Sequence, residues 1–465
     1  TLNVGAGGQL NLNGNTSLGA LTGSGNVDVG VGSTLSLGSN NASTTFAGVL
    51  NGLGGLVKDG TGTLTLSGTS NLADNTQVNA GTLKVDGTLG SNLLTVASGA
   101  TLTGSGSANA SVVINNGGHL AGQSGATLGL GSLVLNSGSI VDVGLASPST
   151  GGTALFNVGG NLTLDGTLNV SNIGGFGNGV YRLFDYTGAL TDNGLDFGTL
   201  PLGVSLGDVS LQTALANQIN LLVSSSGLNI QFWDGSQTTP NGQVDGGSGV
   251  WNAGNTNWTD LNGTANTTWG STFAVFQGTA GDVTVDGSQS VNGMQFVSNG
   301  YRLLVGTAGL LDLVNGSGGD TSVRVDPGVI ATLDVGLGGV GKLNKLDSGT
   351  LVLNGNNSYS GGTQLSGGTL VLGSNTALGT GLLDTASGTT LDTNKSVSLA
   401  NAITLSGPLN LTGNNDLALT GNIGGAGSLV KAGNAQLALS GNNSYSGGTA
   451  LNGGTLVVGS NTALG

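Results

Sequence analysis

The sequence contains no cysteine and no glutamate, and it carries little charge of either sign. Without cysteine, disulfide bonds and thiolate zinc sites are excluded. All 23 acidic residues are therefore Asp, and the nine Lys and Arg residues are spread thinly through a chain with a net charge of -14. Nucleic-acid binding requires clustered basic side chains, so we expect no nucleic-acid partner.

The sequence also has few residues that favour helices and no long apolar run. Glu is absent, Lys is scarce and 93 of the 465 residues are Gly, which argues against helices of any length. No stretch of 18 apolar residues occurs, so we expect no direct membrane insertion by a helix. A disordered Gly-rich linker is the alternative, but short apolar alternations such as Leu64-Thr65-Leu66 recur throughout and can bury a core.

Internal repetition is the strongest signal in the chain. The segment from Gly355 to Gly379, GNNSYSGGTQLSGGTLVLGSNTALG, returns almost unchanged from Gly441 to Gly465, and a more divergent copy runs from Gly68 to Gly87. A repeated unit of this size buries its apolar face against its neighbours, which indicates a stacked solenoid. Because the last copy stops without a polar cap, we expect the chain to be part of a longer protein.

The spacing within each copy indicates one coil of a β-helix. Leu64 and Leu83 are 19 residues apart, as are Leu351 and Leu370. Alternating strands place these Leu residues inward and the residue between two apolar positions, such as Lys84, outward. We predict an all-β parallel β-helix of about 20 coils stacked at ~4.8 Å, right-handed by the usual hand of parallel crossovers. Antiparallel hairpins at the Asn-Gly pairs are the competing interpretation, although these pairs also suit coil corners with positive φ.

Composition along the chain suggests three parts. We expect a β-helix segment over 1–230, an irregular Trp-rich insertion over 231–272 and a second β-helix segment over 273–465. The insertion holds all the tryptophans of the chain, Trp233, Trp251, Trp258 and Trp269. Exposed indoles can stack on sugar rings or anchor a protein, so these four are the candidate ligand-binding residues. The alternative is that they form a small local core.

Catalytic and metal-binding signals are weak. His119 is the one histidine, and no serine motif accompanies it, so we predict no catalytic residue. Asp282 and Asp286 can share the outward face of one strand and could form half of a Ca²⁺ site, but solvation of an exposed strand explains them as well. We expect no cofactor. Lys58, Lys345 and Lys431 recur in register, which indicates a lysine stacked at a coil corner or, alternatively, a basic ligand stripe.

The repeated motifs resemble a known family. Residues 21–86 and 340–465 are similar to the autotransporter-associated β-strand repeat: a Leu-x-Lys strand, a Leu-x-Leu strand, an Asn-x-Tyr segment and a Gly-Thr-Leu strand. The first copy departs from this pattern with Leu72 in place of Tyr. The resemblance implies a passenger of the type V secretion pathway, a right-handed β-helix exported through a C-terminal outer-membrane β-barrel of the parent chain and exposed on a Gram-negative cell surface or released.

The resemblance and the composition together suggest a function. We expect a rigid structural or adhesive stalk, with its own copies, a neighbouring cell surface or matrix glycans as partners, and a role in adhesion, aggregation or biofilm formation. The alternative is a carbohydrate- or protein-binding module that uses the Trp-rich insertion. A polysaccharide-active enzyme is a third interpretation that no motif supports.

Overall fold

The computed structural model describes residues 1–147, 154–225, 228–315 and 319–465. Short strands and tight turns account for almost all of the ordered backbone, and the described residues include a single 3-10 turn, Leu206–Asp208. No helix within these residues has the length and apolar character needed to cross a bilayer.

The strands of the first part of the chain are β1 (Leu2–Val4), β2 (Gln9–Leu12), β3 (Thr16–Leu18), β4 (Leu21–Gly23), β5 (Asn26–Val29), β6 (Thr34–Leu37), β7 (Thr44–Phe46), β8 (Val49–Gly52), β9 (Gly55–Lys58), β10 (Thr63–Leu66), β11 (Thr69–Leu72), β12 (Thr76–Val78), β13 (Gly81–Val85), β14 (Thr88–Val96), β15 (Ala100–Gly104), β16 (Ser107–Ile114), β17 (His119–Gln123), β18 (Leu128–Leu135), β19 (Ile140–Leu145), β20 (Phe156–Val158), β21 (Leu162–Leu164), β22 (Thr167–Asn172), β23 (Gly179–Tyr186), β24 (Leu190–Asp192), β25 (Asp196–Phe197), β26 (Val209–Gln212) and β27 (Gln218–Val223).

The strands of the second part are β28 (Ile230–Trp233), β29 (Gly249–Trp251), β30 (Trp258–Thr259), β31 (Asn266–Thr267), β32 (Phe273–Phe276), β33 (Asp282–Val285), β34 (Ser288–Val291), β35 (Gly293–Phe296), β36 (Arg302–Val305), β37 (Leu310–Leu313), β38 (Thr321–Val325), β39 (Ile330–Leu333), β40 (Gly336–Gly339), β41 (Leu343–Leu346), β42 (Thr350–Leu353), β43 (Thr363–Leu365), β44 (Thr369–Leu372), β45 (Leu383–Thr385), β46 (Thr390–Thr393), β47 (Val397–Leu399), β48 (Ile403–Leu405), β49 (Leu409–Leu411), β50 (Leu417–Leu419), β51 (Ile423–Gly425), β52 (Leu429–Lys431), β53 (Gln436–Leu439), β54 (Thr449–Leu451) and β55 (Thr455–Val458).

The strands stack in parallel, and the chain winds into a β-solenoid of about 22 turns. Leu64 of β10 pairs with Leu83 of β13, and Leu351 of β42 pairs with Leu370 of β44, so one coil separates residues 19 positions apart. These Leu side chains are buried, whereas the side chain of Lys84 is 45% exposed. The prediction of an all-β parallel β-helix is confirmed. Its right-handed sense stays a prediction from the usual hand of parallel crossovers.

Long sheets run along the solenoid on each side of residue 230. In the first part, β1, β4, β7, β10, β13, β15, β17, β19, β22 and β25 form a ten-stranded parallel sheet, here called sheet A, beside a 17-stranded sheet. In the second part, an eleven-stranded and a ten-stranded sheet are joined by two short ones. Since each of these sheets is buried on its inner face, the Leu and Val side chains of successive coils form one apolar column in each part.

Antiparallel pairing is confined, among the described strands, to the region where the two parts meet. There β27 pairs with β23 and β26, and β30 pairs with β28 and β31. One large core extends from Val4 to Val223 and another from Trp233 to Ala463, with a small third cluster between them. Hairpins are therefore the wrong interpretation for the coils themselves. The three-part division of the chain stays a prediction.

The Asn-Gly pairs serve two different purposes. Gly52 and Gly117 have φ of 119° and 74°, as expected for coil corners. Gly14 and Gly355 lack a positive φ, so the expectation was wrong for them. At Gly355 a Cβ atom would lie 2.4 Å from the backbone oxygen of Val335, so the close approach of the neighbouring coil requires Gly there.

Candidate functional site

A buried lysine is the most distinctive polar feature of the repeat. Lys345 ends the inward-facing pattern of β41 and is fully buried. Its ammonium group donates hydrogen bonds to the backbone oxygens of Leu346 and Asp347, both at 2.7 Å, and of Gly367 at 3.2 Å. Two acceptors belong to its own turn and the third to the next coil. The lysine therefore connects consecutive coils from the inside, because its charge-assisted bonds reach carbonyl groups of both.

Lys58 and Lys431 repeat this arrangement in the other copies. Each is buried, and each donates to the carbonyl groups of the next two residues and of a residue 22 positions further along. Burial lowers the pKa of all three lysines, and that of Lys345 falls to about 8. The basic-stripe interpretation is therefore wrong, since these ammonium groups face the interior. The corner position is consistent with the structure, because the lysines bond to the turn that follows each strand, but their side chains point into the coil.

Asparagine performs a similar task in the two near-identical copies. Asn357 accepts a hydrogen bond from the backbone N–H of Leu337 at 2.8 Å and donates to the carbonyl of Ala377 at 2.6 Å. Asn443 makes the same pair of bonds with the coils on its two sides. One buried side chain thereby spans three consecutive coils. Sequence reasoning missed this role, although the identical position of the Asn in both copies was the available signal.

A tyrosine–threonine pair completes the polar set of each near-identical copy. The Tyr359 hydroxyl lies 2.6 Å from the Thr363 hydroxyl, and Tyr445 contacts Thr449 in the same way. Both tyrosines are buried, and burial raises the pKa of Tyr359. We call the Lys, Asn, Tyr and Thr of one copy the repeat clamp: Lys345, Asn357, Tyr359 and Thr363, which are all buried, or Lys431, Asn443, Tyr445 and Thr449, of which Thr449 is partly exposed.

The divergent first copy keeps the Lys and the Thr of the clamp and loses the Asn and the Tyr. Ser70 occupies the Asn position, Leu72 the Tyr position and Thr76 the Thr position. The segment around Ser70 and Leu72 is a regular strand, β11, where the other copies have no strand. The hydroxyls of Ser70 and Thr76 are buried and have no hydrogen-bond partner among the residues that the structure describes. Substitution at two positions has thus left two orphaned hydroxyls, which is costly in an apolar interior.

The four tryptophans form a packed aromatic cluster. Trp233, Trp251 and Trp258 are completely buried and Trp269 is 8% exposed. Their rings contact one another with centroids 4.4 to 5.2 Å apart, and the cluster extends to Phe276. Trp233 and Trp269 donate their indole N–H groups to backbone carbonyls. These side chains therefore belong to the core, and stacking a ligand on them would require an exposed ring face that the structure does not provide.

The other candidate residues make local contacts. Asp286 accepts a hydrogen bond from the backbone N–H of Thr307 at 2.8 Å, while Asp282 lies exposed at the start of β33. Within the described residues no three His or Asp side chains come close enough together to hold a metal ion. His119 lies in β17, where its Nδ1 atom is 2.6 Å from an Asp142 carboxylate oxygen.

A buried polar cluster that sequence reasoning missed lies where the two parts meet. Gln295 of β35 accepts from the backbone N–H of Val180 at 2.8 Å and donates to its carbonyl at 3.1 Å. The same amide donates to Asp326, whose pKa burial raises to about 8. Beside it, Arg324 forms an ion pair with Asp347. These partners are far apart in sequence, so no local pattern could have paired them.

The comparisons with known proteins agree with this architecture. The Passenger-associated-transport-repeat family matches residues 56–85, 343–372 and 429–458, the three segments that begin two residues before the buried lysines. The chain is 40% identical over 370 residues to a protein of Brucella suis biovar 1 (strain 1330) named Adhesin BmaC autotransporter. That match covers 73% of this chain and a tenth of the relative, so the chain spans a small part of the relative's length. No solved structure matches this chain significantly. The chain belongs to the autotransporter passengers and carries three passenger-associated-transport repeats.

Proposed function

We propose that this chain is a rigid extracellular stalk that contributes to adhesion of the cell that exports it. The observation that carries the proposal is the 40% identity to a protein named as an adhesin, extending over 73% of this chain. The identity covers a tenth of that relative, so the adhesive role is inferred for this segment rather than transferred with the name.

The hydrogen bonds between successive coils support the rigidity that we propose for the stalk. The backbone of each coil is hydrogen-bonded to the next coil, and each clamp adds side-chain bonds across two or three coils. Stacking at ~4.8 Å per coil makes a rod of on the order of 100 Å from about 22 turns. A rod of this length would hold a binding surface away from the cell and resist bending.

The remaining parts of the proposal follow from the family. Passengers of autotransporters are secreted or displayed at the cell surface, and we propose that this one acts while attached to the outer membrane or after release. The partners proposed are its own copies, a neighbouring cell surface or matrix glycans, together with the C-terminal outer-membrane β-barrel of the parent chain. We assign it no catalytic step, because the adhesin relative and the repeats support a structural or adhesive passenger.

Bead binding would test adhesion, and sedimentation would test self-association. Beads coated with the folded chain are expected to attach to cultured mammalian cells several-fold more than beads coated with albumin. The purified chain would be sedimented at increasing concentrations to measure whether rods associate. Equal attachment of both bead types together with a monomer at every concentration would refute an adhesive role.

A further inference from the structure

The outer surface of sheet A carries two adjoining polar grooves. The first has a volume of about 540 Å³ and crosses β13, β15 and β17, where Lys84, Thr103 and Gln123 border it. The second, of about 320 Å³, crosses β19 and β22, where Asn169 and Ser171 border it. Both volumes lie in the range of sites that bind small molecules or polymer segments.

Strand register makes the two grooves one continuous track. Lys84 pairs with Thr103, Ala121 with Asp142, and Asp142 with Asn169 on neighbouring strands. These outward-facing side chains therefore form a column that crosses five strands. Four steps of ~4.8 Å between strands give a track of about 19 Å along the solenoid axis. An occupant that follows the track must be extended and must offer polar groups at intervals along its length.

The charged groups along the track leave no surplus of positive charge. Lys84 lies 2.6 Å from Asp86, and Asp142 contacts both His119 at 2.6 Å and the Asn169 amide at 2.9 Å. An anionic polymer would meet a chain whose net charge is -14, and no surplus of cations along the track would compensate. The track therefore suits a neutral ligand.

The functional groups along the track are hydroxyls and amides. Thr103 and Gln123 offer both donors and acceptors on the surface. The hydroxyls of Ser105 and Ser171 donate to Asp86 and to the Val143 carbonyl, so they add acceptors, and together these groups suit the recognition of hydroxyl groups. Beside Gly144, the half-exposed side chain of Ile173 adds an apolar edge.

A peptide is a poor fit for the track. Extended peptides gain affinity by pairing with a free sheet edge. The strands under the track have neighbours on both sides, so their backbone groups are already paired: β15 lies between β13 and β17, and β19 lies between β17 and β22. The backbone therefore offers an incoming peptide few hydrogen bonds.

We propose that this track binds a neutral polysaccharide chain lying along the solenoid axis. The inference rests on the adhesive function proposed above and names a ligand class and a site for it. Thr103 and Gln123 would donate to and accept from successive sugar hydroxyls, Ser171 would accept from one, and Ile173 would lie against a sugar ring. Each contact is weak in water, so binding depends on several adjacent sugars being engaged together.

Affinity electrophoresis of the folded chain would test the track. Native gels would contain dextran, xylan, galactan or mannan as neutral polymers, and heparin as an anionic one. The variant Thr103→Arg fills the track, and Gln123→Ala removes one polar contact without adding bulk. Thr369→Arg is the matched control, because it makes the same change on the outer side of β44 in the second part of the chain.

We expect at least one neutral polymer to retard the parent chain. Thr103→Arg should weaken this binding at least tenfold and Gln123→Ala several-fold, whereas Thr369→Arg should leave it unchanged. Retardation by heparin alone, or by no polymer, would overturn the proposal, as would equal binding by Thr103→Arg and Thr369→Arg. If Thr103→Arg fails to fold, unchanged binding by Gln123→Ala would overturn it. Bead attachment that persists when the polysaccharide test fails would leave the adhesive function standing.

Discussion

Replacing Lys345 by Met should destabilise the second copy of the repeat, residues 343–372, so that its coils open locally more often. Lys345→Met keeps the approximate length and apolar stem of the side chain but removes the ammonium group. Three backbone carbonyls, those of Leu346, Asp347 and Gly367, then lose their donor inside the solenoid. Each orphaned acceptor costs ~1–3 kcal/mol, and the relief of burying a charge offsets part of the sum. We expect a net local loss of ~3 kcal/mol.

Hydrogen exchange measured by mass spectrometry is the suitable assay, because solenoid coils depend mainly on their nearest neighbours and can open locally. A loss of ~3 kcal/mol corresponds to exchange about 100-fold faster. The acceleration should centre on residues 343–372 and leave residues 56–85 unchanged. Lys84→Met, at a half-exposed position, is the control and should alter exchange little. Protection of residues 343–372 that matches the parent chain would refute the argument that the buried lysine holds the coils together.

Four further predictions concern the buried polar and aromatic groups. Thr76→Val should raise the free energy of unfolding by ~1 kcal/mol because it removes an orphaned hydroxyl. Thr363→Val should lower it by a similar amount because the Tyr359 hydroxyl loses its partner. Chemical denaturation would compare the two variants, and effects of the same sign would contradict the hydrogen bonding described for the two threonines. The raised pKa of Asp326 contributes stability that is fully present below its unfolded value of ~3.9 and is lost as pH rises through about 8. The free energy of unfolding measured at pH 5, 7 and 9 should show this decline, and Asp326→Asn should make its dependence on pH flatter. The same dependence on pH in both proteins would exclude this carboxyl as the source. Gln295→Ala should speed amide exchange around Val180, and unchanged exchange there would mean that these bonds do not hold the two parts together. Acrylamide should quench tryptophan fluorescence weakly before unfolding and strongly afterwards, and strong quenching of the folded chain would contradict burial of the indoles.

Much of the fold follows from the spacing of the apolar residues. Leu64 and Leu83 predict the coil, and Lys84 between Leu83 and Val85 predicts the outer face, because side chains alternate along a strand. The same alternation places Lys58 inside the coil, because it stands two residues after the inward-facing Leu56. A lone buried ammonium is so unusual that composition favours a surface position. Only the backbone oxygens that surround it explain why burial is tolerated.

The candidate sites were harder to predict because they depend on contacts between distant coils. The sequence left open whether the tryptophans are exposed ligand-binding residues or a local core in a segment with few Leu and Val. Trp251 and Trp258 pack against each other and fill the interior that Leu and Val fill elsewhere, as the second interpretation expects. Gln295 meets Val180 across 115 positions of sequence, and no periodicity marks either residue. The grooves on sheet A likewise arise from the stacking of five strands, whereas the sequence shows only scattered Thr, Ser and Asn.

The bonding of Asn357 has a consequence for the order in which coils can be completed. Its partners lie 20 residues behind it, at Leu337, and 20 residues ahead, at Ala377. A chain that is added to the stack from either end therefore finishes this coil only after the following coil has arrived. Until then the Asn357 side chain lacks one of its two backbone partners, and the same holds for Asn443 in the last copy. Losing this coil once it is finished requires breaking side-chain bonds to both of its neighbours.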